Sequence, residues 1–227
     1  MNAHTIHLVL APLLILGIAT SAHAQSGYLG KGYFSVEWSD SGNQNGLVEP
    51  GELALGKIFV AFDPPAGSTI IFPGGGPPHT VKALSYAAIG FLWTENGDTG
   101  KLDGSWTAPF GPLSGPVYGG NQNITFLECW QPPIQLYPTP NTSNPAHIFT
   151  FTWDPLGNYT PRQVTYYVDG ISTKVYAEPE TTPDFWVGAA LYESFDSAPT
   201  SFQVVPAPGG ATSMLIASSL LLHRRRR

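Results

Sequence analysis

The chain has 227 residues, with 16 Asp and Glu against 10 Lys and Arg, for a formal net charge of −6. Residues 25–204 carry all sixteen acids and only six basic residues (Lys31, Lys57, Lys82, Lys101, Arg162 and Lys174), a formal charge of −10. A domain that acidic is excluded as an electrostatic partner of nucleic acid, and a single cysteine, Cys129, excludes an intramolecular disulfide.

In chain order, the first predicted element is a signal helix over residues 1–24. His4 and His7 precede an apolar run from Leu8 to Ile18, and Ala22 and Ala24 stand at the two positions signal peptidase requires to be small. Cleavage after Ala24 is expected, with the initiator amine supplying the positive charge that the n-region otherwise lacks. The chain is therefore predicted to be exported.

Residues 25–204 fit one domain by length. Phe, Trp, Tyr, Val, Ile and Thr recur in short runs separated by Pro and Gly, with no helical period of useful length, so the fold class is all-β. The pattern predicts a single antiparallel β-sandwich of jelly-roll or Ig-like type, flanked by the signal helix and a short C-terminal hydrophobic helix. Candidate strands are Gly32–Trp38, Leu53–Phe62, Thr69–Phe72, Val81–Trp93, Gly104–Thr107, Asn123–Trp130, His147–Trp153, Arg162–Val168, Ile171–Ala177, Phe185–Tyr192 and Ser201–Val205. Asp169-Gly170 divides two β-branched and aromatic runs by two residues, which predicts a type I′ hairpin over Gln163–Tyr176. The Pro/Gly-rich segments 72–78 and 109–116 can hold neither a helix nor a central strand. Cys129, within Phe126–Trp130, reads as a small buried strand residue.

Between the first two strands, Ser41-Gly42-Asn43-Gln44-Asn45-Gly46-Leu47-Val48-Glu49-Pro50-Gly51-Glu52 follows the register of a calcium loop, with Asn43, Asn45, Gly46, Val48 and Glu52 in place. Alternate side chains can converge on one ion there, Gly46 permits the sharp turn and Glu52 can chelate with both oxygens. The first position holds Ser41, with Asp40 one place too early, so the expectation is at most a weak, millimolar-class Ca²⁺ site using Ser41, Asn43, Asn45, Glu49 and Glu52. The words Asn-Gly-Leu-Val-Glu-Pro-Gly-Glu also resemble strand-joining loops of bacterial surface-adhesin domains. The alternative is a polar loop whose Asn and Gly residues make turns. A second acidic loop, Glu95–Gly104, matches no calcium spacing and reads as turn chemistry. No cofactor is required by any motif.

Catalytic candidates are few. His79 follows a Gly/Pro loop and His147 opens a strand; neither lies in a nucleophile or metal motif. The domain is expected to be non-catalytic. Of the six tryptophans, Trp38, Trp93, Trp130 and Trp153 end apolar runs and are expected in the core. Trp106 and Trp186, beside prolines, are the candidates for exposed faces that stack on sugars.

The chain closes with residues 205–227. Val205-Pro206-Ala207-Pro208-Gly209 is followed by an apolar run over 210–222, then His223 and the cluster Arg224, Arg225, Arg226 and Arg227. Thirteen helical residues span about 20 Å, short of the roughly 30 Å hydrocarbon core. The arginines favour the cytoplasmic side, leaving the prolines outside in an extended, accessible stretch. This order resembles the PEP-CTERM sorting tail of bacterial surface proteins, with Ala207 where the family usually carries Glu. The resemblance implies transient membrane insertion, cleavage by an exosortase-type enzyme, and delivery to the cell envelope, surface or extracellular matrix, with exopolysaccharide as an associate. Two functions are compatible with these features: a non-catalytic surface or matrix protein, and a lectin-like carbohydrate-binding module, Ca²⁺-assisted or not.

Overall fold

The computed structural model describes residues 27–94, 100–114, 124 and 126–206. The signal segment with Ala22 and Ala24, and the tail from Ala207 through Pro208, Gly209, the 210–222 run and Arg224–Arg227, lie outside the described residues, as does much of the Glu95–Gly104 loop. Among the described residues there is no helix, and none is therefore long and apolar enough to cross a membrane.

Twelve strands are present among them: β1 (Gly30–Asp40), β2 (Leu47–Val48), β3 (Ala54–Asp63), β4 (Thr69–Ile70), β5 (His79–Thr94), β6 (Lys101–Trp106), β7 (Gly111–Ser114), β8 (Leu127–Trp130), β9 (Ala146–Asp154), β10 (Arg162–Pro179), β11 (Val187–Phe195) and β12 (Thr200–Val204). The fold is all-β, as its composition predicts. β7 falls in a Pro/Gly segment that can hold no central strand, and it takes the edge of the sheet. β3 shows how sequence becomes surface: Ala54, Ile58, Val60 and Phe62 alternate with outward Lys57 and half-buried Phe59, so one face is core.

The strands join in one hydrogen-bonded sheet in the order β6-β9-β3-β1-β11-β10-β5-β8-β7, with β12 and β4 added beside β10 and β5 and β2 beside β12. The sheet is mixed, which corrects the purely antiparallel expectation: β1 runs parallel to β11, and β2 parallel to β12. The parallel pairs arise because the ends of β1 and β12 are taken by partners distant in sequence, where no tight turn dictates direction.

The expected hairpin at Asp169-Gly170 is also corrected. Residues 162–179 form one eighteen-residue strand that runs straight through both residues. A type I′ turn needs positive φ at each, and neither has it. β5 pairs with β10 from Tyr166 to Pro179, while the opposite edge of β10 is shared by β12 at residues 162–166 and β11 at residues 173–177. Long-range pairing on both edges outweighs a local turn signal. Gly170 serves packing instead: a Cβ there would lie 2.3 Å from Phe34 Cδ2.

A bulge beside this point brings two carboxyls together. Asp196 Oδ1 accepts the Gly170 N–H at 3.0 Å, and the Asp169 carboxyl is raised above its ordinary pKa by burial and then by the charge and hydrogen bond of Asp196. A raised carboxyl favours folding while protonated, so this contribution is lost as pH rises through the folded pKa. Asp169→Asn, which keeps a donor toward Asp196, is expected to stabilise the protein by about 0.5 kcal/mol at pH 7. The gain should vanish toward about pH 4, the ordinary carboxylate range, in thermal melts run across that interval.

The core joins distant strands through aromatic rings. Phe202 of β12 lies 5.1 Å from Trp38 of β1, 5.2 Å from Trp153 of β9 and 5.7 Å from Tyr166 of β10, ring centre to ring centre. Phe151 of β9 also meets Tyr166 at 5.4 Å. Of the tryptophans expected in the core, Trp153 is fully buried and Trp38 half-buried against it. Cys129 is fully buried, and burial pushes its thiol up to about 12, which leaves it unreactive at neutral pH.

Candidate functional site

The loop between β1 and β3 is organised by a residue outside the calcium register. Asp40, the last residue of β1, is buried, and its carboxylate accepts the backbone N–H groups of Gly42 (3.0 Å), Gln44 (2.7 Å) and Gly46 (3.0 Å). Burial alone would raise its pKa, but those three amides together hold it below the ordinary value. Gln44 and Gly46 take positive φ, of 58° and 80°, to turn their amides inward.

The predicted ion ligands are gathered in this loop but bonded to it. Ser41 Oγ accepts Leu53 N–H, Asn43 Oδ1 accepts Asn45 N–H, and Asn45 Oδ1 accepts Leu47 N–H. Glu52 Oε1 takes Asn43 N–H at 3.4 Å and Oε2 takes Glu49 N–H at 3.1 Å, while Asn43 Nδ2 donates to Glu49 Oε2. The side chains therefore make the turn chemistry that was the alternative reading. Among the described residues no group of three or more His, Cys, Asp or Glu is disposed to hold a metal.

The two tryptophans predicted to be exposed are packed inward. Trp186 is buried beside Ala83 and Tyr176 in a small cluster of its own, its ring 5.8 Å from that of Tyr176. Trp106 is half-buried, edge-on to Phe149 at 5.0 Å. The histidines are structural as well. His79 hydrogen-bonds Pro77 O through Nδ1 and meets Phe72 edge-on. His147 Nε2 lies 3.1 to 3.3 Å from Thr150 Oγ1, Phe149 O and Thr107 Oγ1, and burial lowers its pKa.

A cavity of about 300 Å³, open to solvent, lies where β11, β10, β5 and β8 run side by side. Lys174 of β10 pairs across to Tyr86 of β5, and Tyr86 to Trp130 of β8, so the three form a row on one face. Lys174 and Tyr176 alternate with Val175 and Ala177, which belong to the main core, so the row lies on the opposite face of the sheet. Tyr86 and Leu84 pair with consecutive residues of β10, which leaves Ser85 as an extra residue in β5. This bulge turns the Ser85 side chain to the cavity. A second bulge follows in β11, between the partners of Val175 and Ala177, and places Gly188 over Tyr176.

One buried amide holds these walls. Gln131 donates through Nε2 to the carbonyls of Leu84 and Asn141, and its Oε1 accepts Asn141 N–H. Its backbone N–H reaches Ser85 O at 3.1 Å, and its carbonyl accepts the Tyr176 hydroxyl at 2.6 Å. Burial pushes that phenol up to about 12, so it stays a neutral donor. Tyr86 donates to Glu128 Oε1 at 2.6 Å, and its pKa is raised by burial and then by that carboxylate.

Sequence reasoning missed this constellation. Trp130 reads as core from its apolar run, and Ser85 lies in a strand whose simple alternation turns it away from Tyr86. Only the bulge, which depends on pairing with β10, puts them together. The chain matches no protein-family model, no curated protein and no solved structure.

Proposed function

We propose that this is an exported, non-catalytic protein of the bacterial cell surface or extracellular matrix, delivered by signal peptidase at one end and exosortase-type processing at the other. The observation that carries the reading is where the described sheet lies relative to the two predicted processing segments. Among the described residues, the last backbone hydrogen bond at this end runs from Val205 N–H to Val48 O at 3.0 Å, and Pro206 is exposed. At the other end, Leu29 N–H donates to Leu191 O shortly after the expected cleavage point. Cleavage at both places would leave the described domain whole.

On this reading the mixed sheet closes on itself as a sandwich, with Phe202, Trp153 and Tyr166 between its layers, and presents the −10 domain outside the membrane. Exopolysaccharide is its proposed surroundings. Calcium enters only as a weak, millimolar occupant of the 41–52 loop, because its oxygens are already engaged. Stacking of sugar on Trp106 and Trp186 loses its support, since both rings are packed inward.

Mass spectrometry of the protein released from cells tests the proposal. The expected product starts at Gln25 and lacks Arg224–Arg227; a product that retains those arginines would overturn the processing step.

A further inference from the structure

We propose that the bulge-lined cavity at Ser85, Tyr86, Trp130, Lys174, Tyr176 and Gly188 binds an acidic saccharide, a pyranose ring bearing a carboxylate. The inference rests on the cavity alone and does not depend on how the termini are processed.

Three observations point to a ligand. First, Ser85 lines the cavity and is 5% exposed, and its Oγ is buried in the cavity wall without a hydrogen-bond partner. A buried hydroxyl without a partner is unfavourable, and a bound polar group would satisfy it. Second, the volume of about 300 Å³ is at the lower end of ligand sites and suits one sugar-sized unit. Gly188 keeps that space clear, since a Cβ there would stand 3.0 Å from Tyr176 Cε1 and 3.7 Å from Ser85 Cβ. Third, the walls are preorganised: the Gln131 hydrogen bonds fix Ser85 and Tyr176 before any ligand arrives.

The chemistry of the walls selects the ligand. Trp130 and Tyr86 are half-buried aromatic side chains in one cross-strand row, and aromatic faces beside hydroxyl and amino donors suit the apolar face and polar rim of a pyranose. Lys174 is the only charged residue among the cavity-lining residues described, in a domain of formal charge −10. Its Nζ rests 4.8 Å from the centre of the Tyr86 ring, whereas among the described residues it is Lys82 that pairs with a carboxylate, Glu178. A lone ammonium at the rim of an aromatic pocket fits a sugar carboxylate, with which it forms a charge-assisted hydrogen bond.

Calorimetric titration of the purified full-length protein with tetragalacturonate and with its fully methyl-esterified form tests this. The acid is expected to bind at least about tenfold more tightly than the ester. Lys174→Gln should abolish that difference while leaving ester binding unchanged. Trp130→Ala and the cavity-filling Gly188→Val should each remove binding of both forms, with circular dichroism showing that the variants fold. Ser85→Ala should weaken binding severalfold while leaving thermal stability equal or higher, because it deletes an unpartnered hydroxyl. A purely structural serine would not separate the two readouts. No binding at millimolar tetragalacturonate, equal binding of acid and ester, or binding that survives in folded Gly188→Val would each overturn the proposal.

Discussion

Phe202→Ala is expected to lower the unfolding free energy by about 3–5 kcal/mol, a large share of the total for a domain of this size. The ring is 2% exposed and touches Trp38, Trp153 and Tyr166, which come from three other strands. Deleting it removes the buried apolar surface and leaves a cavity among large aromatic rings that can collapse only partly, because each is held by its own strand. Phe202→Leu, which keeps most of the volume, should cost less than about 1.5 kcal/mol. Urea unfolding distinguishes the two, with the midpoint shifting at constant slope. A loss below about 1 kcal/mol for the alanine variant would show that β12 is not the element tying β1, β9 and β10 together.

The second large effect is expected at Asp40. Asp40→Ala removes the acceptor of three backbone N–H groups and should destabilise the protein by about 2–3 kcal/mol at neutral pH. The sign of the pH dependence follows from the lowered pKa. A carboxylate depressed in the folded state contributes stability above its unfolded pKa of about 3.9, and that contribution is lost as pH falls through the folded value. The gap between wild type and variant should therefore be full at pH 7 and narrow below about pH 4. Equal urea midpoints at pH 7 would mean that the loop is held by Ser41, Asn43 and Glu52 without its hub.

These two residues show how much was legible. Phe202 stands in the alternating segment Ser201–Val205, which its period-two pattern places in a strand, and its burial follows. Its three aromatic partners lie at positions 38, 153 and 166, and no local pattern joins them. Asp40 was visible as an acid one place out of register for a calcium loop. In the folded chain that offset is the explanation, because the carboxylate at the strand end points back under the loop and takes the amides of Gly42, Gln44 and Gly46. The spacing of oxygen-bearing residues suits both an ion and a self-bonded turn, and the choice depends on where the backbone directs its N–H groups.

The strand pattern succeeded wherever alternation and β-branched or aromatic runs were long, as in β1, β3, β5 and β9. It failed at Asp169-Gly170, where a strong local turn signal gave way to simultaneous pairing of β10 with β5, β11 and β12. It was also silent on the face occupied by Ser85, and it offered Trp106 and Trp186 as exposed where both pack inward.

The amino-acid sequence by itself determined an acidic, strand-rich domain with a buried lone cysteine and most of its strand positions, because composition and period-two alternation are local properties. Only the tertiary structure decided that the sheet is mixed, that β10 is one strand, that Asp40 organises the loop, and that Ser85 faces Trp130 and Lys174. Each of these depends on which distant strand supplies the pairing partner, and a single bulge in that pairing reverses the face on which every later side chain stands.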